Sequence, residues 1–235
     1  MSHPQERLII ALDVSSAAAA QKMVAAVGEA PCLYKVGMQL YTAEGPQVIR
    51  DLVASGRKVF LDLKYHDIPN TVGSAVREAA GLGVSMLTVH AAGGRKMLRM
   101  AVEAAAARKD LTVLAVTVLT SMDDEEMNAV GVEGPVLGQV LRLAQLALNC
   151  GCQGIVSSAK ETVELRKRLG SGFAIVTPGV RPAGSAHGDQ ARVVTPREAI
   201  AAGATHIVVG RPVTEAPDPA ASVRRILEEM SGVGR

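Results

Sequence analysis

The feature that most constrains this chain is the alternation of short apolar runs with helix-forming segments, repeated eight times. The predicted strands begin at residues 8, 33, 58, 86, 112, 154, 174 and 206. Because most of these runs are apolar on both faces, they predict a parallel sheet that helices cover on both sides. Eight such units in 235 residues predict an α/β fold, namely a (β/α)8 TIM barrel that forms a single domain over residues 1–235.

The alternative architecture is an open doubly wound sheet. Such a sheet is expected to carry a glycine-rich dinucleotide-binding turn after its first strand. The turn here reads Leu12-Asp-Val-Ser-Ser16 and contains no glycine, which favours the barrel. The predicted fifth strand covers residues 111–120. The loop at about 178–194 is polar and too long for a plain connection, so it is predicted to be a lid over a ligand.

Composition excludes several classes of function. Aromatic residues make up 2 % of the chain, the net charge is +2 and no block of basic residues occurs, so nucleic-acid binding is not expected. The three cysteines include a Cys150-Gly-Cys152 pair whose spacing fits neither a zinc knuckle nor a disulfide scaffold. The chain starts without an apolar signal segment and has no apolar run long enough to cross a bilayer. We therefore expect a cytoplasmic protein with reduced thiols, no zinc site on its cysteines and no membrane contact.

One charged segment follows the third apolar run directly. Asp62 and Lys64 are two residues apart, so on a strand their side chains share a face. Asp67 lies beyond the strand, and Pro69 biases Ile68 toward an extended conformation. A surface salt bridge at a strand end is the simpler explanation. Three charges so close to an apolar strand, followed by a rigid turn, favour a functional site.

Other polar residues fall at the same end of the predicted barrel, where barrel enzymes place their chemistry. Any single one has an ordinary structural explanation, such as a salt bridge, a core histidine or a helix start, but their joint placement favours an active site. They are Asp13 after strand one, Lys35 in strand two, His90 in strand four, Thr120 and Ser121 in strand five, Arg181 after strand seven, and Gly210 and Arg211 after strand eight.

Two of these loops indicate a phosphate site. The segments Gly210-Arg211-Pro212 and Pro178-Gly179-Val180-Arg181 each combine a glycine with an arginine. In barrels of this type the loops after strands seven and eight commonly bind phosphate. The planar fork of arginine suits phosphate because it can donate to two oxygens at once. Pairing with helix carboxylates would explain one arginine more easily than both.

Seven motifs are spread over nearly the whole length of the chain. They are Ala11-Leu12-Asp13, Lys35-Val36-Gly37, residues 62–71, Leu119-Thr120-Ser121, Thr177-Pro178-Gly179-Val180-Arg181-Pro182, Asp189-Gln190 and Gly210-Arg211-Pro212-Val213-Thr214. In these motifs the chain resembles the orotidine 5′-phosphate decarboxylase family. This resemblance implies a (β/α)8 barrel that converts orotidine 5′-phosphate to uridine 5′-phosphate and CO2, the last step of de novo pyrimidine biosynthesis. It also implies a homodimer that uses neither metal nor organic cofactor.

The resemblance also implies roles for single residues. Lys64 would be the proton donor, flanked by Asp62 and Asp67, and Lys35 would complete the charged array. Asp67 and Thr71 would reach into the site of the neighbouring subunit. The implied substrate-binding residues are Asp13, Lys35, Asp62, Ile68, Thr71, Thr120, Ser121, Pro178, Arg181, Gln190, Gly210 and Arg211.

Two alternatives stay open. The Asp-x-Lys-x-x-Asp core is shared by related sugar-phosphate barrels, so a metal-dependent sugar-phosphate decarboxylase or epimerase is the close rival. A non-catalytic nucleotide-binding regulator built on the barrel is the rival from another class. Crowding Asp62, Lys64 and Asp67 together would bring no advantage to a protein that only binds.

Overall fold

The computed structural model describes residues 4–30, 33–183 and 194–232. These residues contain eight parallel strands closed into a barrel, in which each strand pairs with the next and β8 pairs with β1. The predicted (β/α)8 barrel is confirmed. The strands are β1 Leu8–Ala11, β2 Leu33–Gly37, β3 Lys58–Tyr65, β4 Met86–His90, β5 Thr112–Val116, β6 Gly154–Val156, β7 Ala174–Thr177 and β8 His206–Val209.

Helices follow every strand and cover the outside of the barrel. Several of them begin at a capping side chain: Ser16, Asp218 and Thr195 each accept a backbone N–H at a helix N-terminus. The helices are α1 Pro4–Arg7, α2 Ala17–Val27, α3 Met38–Glu44, α4 Gln47–Ala54, α5 Pro69–Gly81, α6 Gly94–Ala105, α7 Asp124–Ala129, α8 Val136–Asn149, α9 Ala159–Leu169, α10 Pro196–Ala201, α11 Arg211–Thr214 and α12 Pro219–Ser231, with one 3-10 turn at Ala91–Gly93.

The core has two layers, as expected when strands are buried on both faces. The larger layer lies between the strands and the helices. The smaller one fills the inside of the barrel and contains a single aromatic ring, that of Phe60, among the described residues. Its buried members are Ile9, Ala11, Leu33, Phe60, Leu114, Val176 and Val208.

The inner face of the barrel changes from apolar to polar toward the carboxyl ends of the strands. Successive inward positions lie two residues apart. Leu33 is therefore followed on the inside by Lys35, and Phe60 by Asp62. The apolar interior thus forms the floor beneath a charged layer at the mouth.

The predicted extent of the fifth strand is wrong. The strand ends at Val116, so Thr120 and Ser121 lie in the loop that leads to α7. The reason is the partner strand: β6 has three residues, and its last, Val156, already pairs with Val116. Beyond that point Thr117 bonds to the carbonyl of Val156 and the ladder stops.

Within the described residues, none of the helices combines the length and the apolar character needed to cross a membrane.

Candidate active site

Four charged side chains form a chain of alternating sign across the mouth of the barrel. The Lys64 ammonium lies 3.0 Å from both carboxylate oxygens of Asp62. The Lys35 ammonium lies 4.0 Å from Asp62 and 2.8 Å from Asp13. Lys35 and Asp62 are nearly buried, with side chains 11 % and 14 % exposed. Poor solvation strengthens the attraction within such a network.

The backbone at Lys64 is unusual. Its φ is 52°, and in the described part of the chain no other non-glycine residue has a positive φ. This left-handed conformation costs roughly 1–2 kcal/mol for an ordinary L-residue. It coincides with a register shift, because Leu61 pairs with Leu87 while Tyr65 pairs with Val89. A bulge of this kind re-aims side chains. Asp62 and Lys64 do project together as predicted, but on a bulged strand rather than a regular one.

Thr88 of β4 lies opposite this bulge. Its hydroxyl accepts a hydrogen bond from the backbone N–H of Lys64 and donates one to Asp62, each at 2.9 Å. Thr88 is fully buried. The sequence analysis did not single it out. A signal was present, because Thr88 precedes His90 by two residues and so occupies the same inward face.

The segment after β3 points into solvent. Asp67, Ile68 and Thr71 are all exposed, Ile68 to 67 %. The Asp67 carboxylate accepts the N–H of Ile68 at 2.6 Å. Among the described residues, none of the ion pairs joins Asp67 to Lys64 of the same chain. The extended backbone of Ile68, with φ −58° and ψ 150°, is the one that Pro69 was expected to impose.

A cleft of about 690 Å³ opens beside the charged network. It brings Asp13, Lys35 and Asp62 together with the two loops that were expected to bind phosphate. Lys64, Thr120 and Ser121 are not among its lining residues, and Gln190 lies outside the described residues. The lining is formed by Ala11, Asp13, Val14, Lys35, Gln39, Asp62, Pro178, Gly179, Val180, Arg181, Val208, Gly210, Arg211, Pro212, Thr214 and Glu215.

The two arginines of the cleft differ in exposure. Arg181 is 7 % exposed, whereas Arg211 is exposed. The backbone N–H of Arg181 donates to the carbonyl of Val194 at 3.0 Å, which closes the base of the loop between them. Gln39, which the sequence analysis did not single out, also lines the cleft and donates to Ser15 at 3.0 Å.

His90 lies at the end of β4, and its ring stacks on that of His66 with the centroids 5.2 Å apart. Burial, and then the nearby His66 and Lys64, hold the pKa of His90 below its usual value. Within the described residues, no group of three or more His, Cys, Asp or Glu side chains is arranged to hold a metal ion.

The fold and this site define a (β/α)8-barrel protein with a candidate active site at the carboxyl ends of its strands. Comparison with known proteins then gives the family. Residues 6–226 match the model of the orotidine 5′-phosphate decarboxylase / HUMPS family, and the chain belongs to that family.

Relatives match the chain over almost its whole length. It is 52 % identical over 229 residues to a protein of Halorhodospira halophila named orotidine 5′-phosphate decarboxylase, covering 97 % of each chain. It is 54 % identical over 223 residues to the protein of that name from Anaeromyxobacter dehalogenans, covering 95 % of this chain and 97 % of the relative. The crystal structure of orotidine 5′-phosphate decarboxylase from Lactobacillus acidophilus matches with a TM-score of 0.84 and 38 % identity, covering 96 % and 99 % of the two chains.

Proposed function

We propose that this protein decarboxylates orotidine 5′-phosphate to uridine 5′-phosphate and CO2, without a cofactor, in the last step of de novo pyrimidine biosynthesis. The observation that carries the proposal is the Lys64 ammonium held 3.0 Å from both oxygens of Asp62 at the barrel mouth. Relatives that match the chain end to end carry the name of this activity.

The chemistry explains why a lysine among carboxylates suits this reaction. Loss of the carboxylate breaks a C–C bond and leaves the electron pair on C6 of the pyrimidine, in an in-plane orbital that ring resonance cannot spread. Without a cofactor the protein itself must stabilise that charge. We assign this to Lys64, whose ammonium lies near the developing carbanion and then gives C6 a proton. Water afterwards returns a proton to Lys64.

Asp62 is assigned a second effect, repulsion of the substrate carboxylate. Two like charges ~4 Å apart at an effective dielectric near 20 repel by roughly 4 kcal/mol. Large enzymatic accelerations require up to ~23 kcal/mol. Repulsion therefore contributes a minor part. Stabilisation of the transition state by Lys64, and binding energy from the phosphate, must provide most of the effect.

The test is CO2 release from orotidine 5′-phosphate by the purified protein. We expect turnover by the wild type, loss of turnover in Lys64→Ala with nucleotide binding largely retained, and full activity in the control Lys167→Ala on the exposed face of α9. Turnover by Lys64→Ala would refute the role of the lysine. Activity that disappears on treatment with a chelator would favour the metal-dependent rival.

We assign the remaining cleft residues to ribose and phosphate. Asp13 and Lys35 would hold ribose hydroxyls. Arg181 and Arg211, with Pro178, Gly210 and Gln190, would bind the phosphate. Arg211→Ala should then raise KM for the nucleotide strongly and leave the weak activity on the phosphate-free nucleoside unchanged. Equal losses on both substrates would contradict this assignment. Thr120 and Ser121 would meet the pyrimidine from the loop after β5.

The loop at about 178–194 is proposed as a lid over the phosphate. Two residues at the base of this loop are joined, because the backbone N–H of Arg181 donates to the carbonyl of Val194 at 3.0 Å. Closure on the nucleotide should protect the loop from protease. Cleavage at equal rates with and without uridine 5′-phosphate would argue against a lid.

We further propose a homodimer in which Asp67, Ile68 and Thr71 serve the neighbouring site. Their exposure, and the apolar surface of Ile68 among them, support this arrangement. Mixing Lys64→Ala with Asp67→Ala subunits should restore part of the activity, because one site per mixed dimer would be intact. Mixed dimers that stay inactive would place Asp67 in its own site. The cytoplasmic location remains a prediction for cell fractionation.

A further inference from the structure

We propose that Thr88 is a positioning residue for the reaction, which fixes the Lys64 ammonium and the Asp62 carboxylate relative to each other. This inference rests on the proposed decarboxylation, since the pair that Thr88 holds is the pair assigned to the chemistry. Thr88 itself does not line the cleft, so it acts through its two partners.

The polarity of the contacts is fixed by chemistry. A backbone N–H can only donate, so the Thr88 hydroxyl accepts from Lys64 at 2.9 Å. Its single proton is then directed to Asp62 Oδ1, also at 2.9 Å. The same oxygen lies 3.0 Å from the Lys64 ammonium. One hydroxyl thus joins the backbone of the lysine to the carboxylate that its own side chain contacts, in a closed ring of hydrogen bonds.

The bulge explains why a side chain is needed at this point. Between the pairs Leu61–Leu87 and Tyr65–Val89, β3 advances four residues while β4 advances two. Regular pairing is lost across that step, and Lys64 there takes its left-handed φ of 52°. Such a conformation persists only where the surroundings hold it. Thr88 lies opposite the step, and its hydroxyl is the acceptor that the Lys64 N–H finds there.

Burial makes the connection rigid. Thr88 is 0 % exposed, and a β-branched side chain has little rotational freedom at χ1. The hydroxyl therefore cannot rotate toward solvent, and it has no exposed surface at which water could replace its two partners. Without the hydrogen bond from Thr88, the Asp62 carboxylate could rotate between Lys35 and Lys64, because both ammonium groups lie within 4.0 Å of it.

The test compares Thr88→Val, which keeps the shape and removes the hydroxyl, with Thr88→Ser, which keeps the hydroxyl. The control is Thr162→Val in α9, a second fully buried threonine whose hydroxyl donates to a carbonyl, at 3.1 Å. We expect Thr88→Val to lower kcat on the order of 10- to 100-fold. KM should change by less than about threefold, because Thr88 itself does not line the cleft and the described residues assigned to the phosphate do not contact it. Serine should restore most of kcat, and Thr162→Val should leave it unchanged.

A measurement independent of activity separates this inference from the proposed function. Hydrogen exchange at the Lys64 amide should be slow in the wild type and in Thr88→Ser, and fast in Thr88→Val. If the wild type releases no CO2, the proposed function fails, and a fast Lys64 amide in Thr88→Val would still support the positioning geometry.

Three results would overturn the inference: an amide equally protected in Thr88→Val, a kcat within about twofold of wild type, or a serine variant as slow as the valine variant. If Thr88→Val does not fold, Thr88→Ala takes its place with the same expectations.

Discussion

Replacing Gly37 with alanine should damage the reaction while leaving the fold intact. Gly37 ends β2 with φ −98° and ψ −175°, an extended backbone that alanine adopts without strain. A Cβ at this position would lie 2.8 Å from the Lys35 ammonium and 3.4 Å from the Asp13 carboxylate. Because the nearest atom is the end of a flexible side chain, the lysine must move while the scaffold stays in place.

The structure gives the size of both effects. Lys35 must retreat by about 0.6 Å or more to reach an ordinary contact of 3.4 Å with the new methyl group. Weakening its ion pair with Asp13 by such a shift costs at most roughly 1 kcal/mol at an effective dielectric near 20. The lost freedom of the unfolded chain offsets this by about 0.4–1 kcal/mol. A displaced charge at a reacting centre, in contrast, lowers the rate by up to ~100-fold.

The assay is therefore a pair of measurements, kcat/KM with orotidine 5′-phosphate and the free energy of unfolding in urea. We expect kcat/KM to fall by about 10- to 100-fold with the unfolding free energy within about 1 kcal/mol of wild type. The control is Gly172→Ala, where an added Cβ meets open space. Unchanged kcat/KM would refute the need for a fixed Lys35, and a large loss of stability would show that the clash reaches the scaffold.

Three further predictions concern the rest of the barrel. Burial lowers the pKa of His206 to about 4 from 6.5. The unfolded chain therefore binds the proton more readily than the folded protein does. The contribution of neutral His206 to the free energy of unfolding is fully present above pH 6.5 and is lost as the pH falls toward 4. When the pH is lowered from 7.5 to 5, the free energy of unfolding in urea should fall by about 2 kcal/mol more in the wild type than in His206→Asn. Equal decreases in the two proteins would contradict this. Arg166 donates to three backbone carbonyls, so Arg166→Met should cost about 1–3 kcal/mol of stability with KM unchanged; an unaltered urea midpoint would argue against it. Cys150 and Cys152 are buried, and burial raises the pKa of Cys152 to about 12. Replacing Cys32 with serine leaves these two thiols as the only ones in the chain. In that variant, iodoacetamide at pH 8 should label neither cysteine until urea is added. Labelling of the native protein would show that the thiols are accessible.

Much of the barrel could be predicted from the sequence because its signals are local. Each strand contains a short apolar run, and most helix starts carry a capping side chain or a proline; α3 and α6, which follow Gly37 and Gly93, carry neither. Eight strand–helix units predict one helix between β2 and β3, whereas the structure has two, α3 and α4. Gly45 has φ 65° and separates α3 from α4, so the same glycine ends one helix before the next begins.

The candidate site was predicted in part for the same reason. Lys35 and Asp62 follow Leu33 and Phe60 at a spacing of two, so alternation alone carries them to the inner face. The prediction was less accurate at Thr120, which was placed on a strand. The length of β5 depends on its partner β6, and a pairing partner cannot be read from the strand itself.

The bulge at Lys64 is the feature that local patterns could not reveal, because it is a property of two strands. It also has features that cost stability. The ammonium groups of Lys35 and of the left-handed Lys64 both lie within 4.0 Å of the nearly buried Asp62 carboxylate, above an apolar interior of Phe60 and aliphatic side chains. Continuing that interior upward with valine or leucine would avoid both the strain and the cost of burying charge. Where backbone strain and buried charge occur together at one point, function rather than stability is expected to have selected the residues.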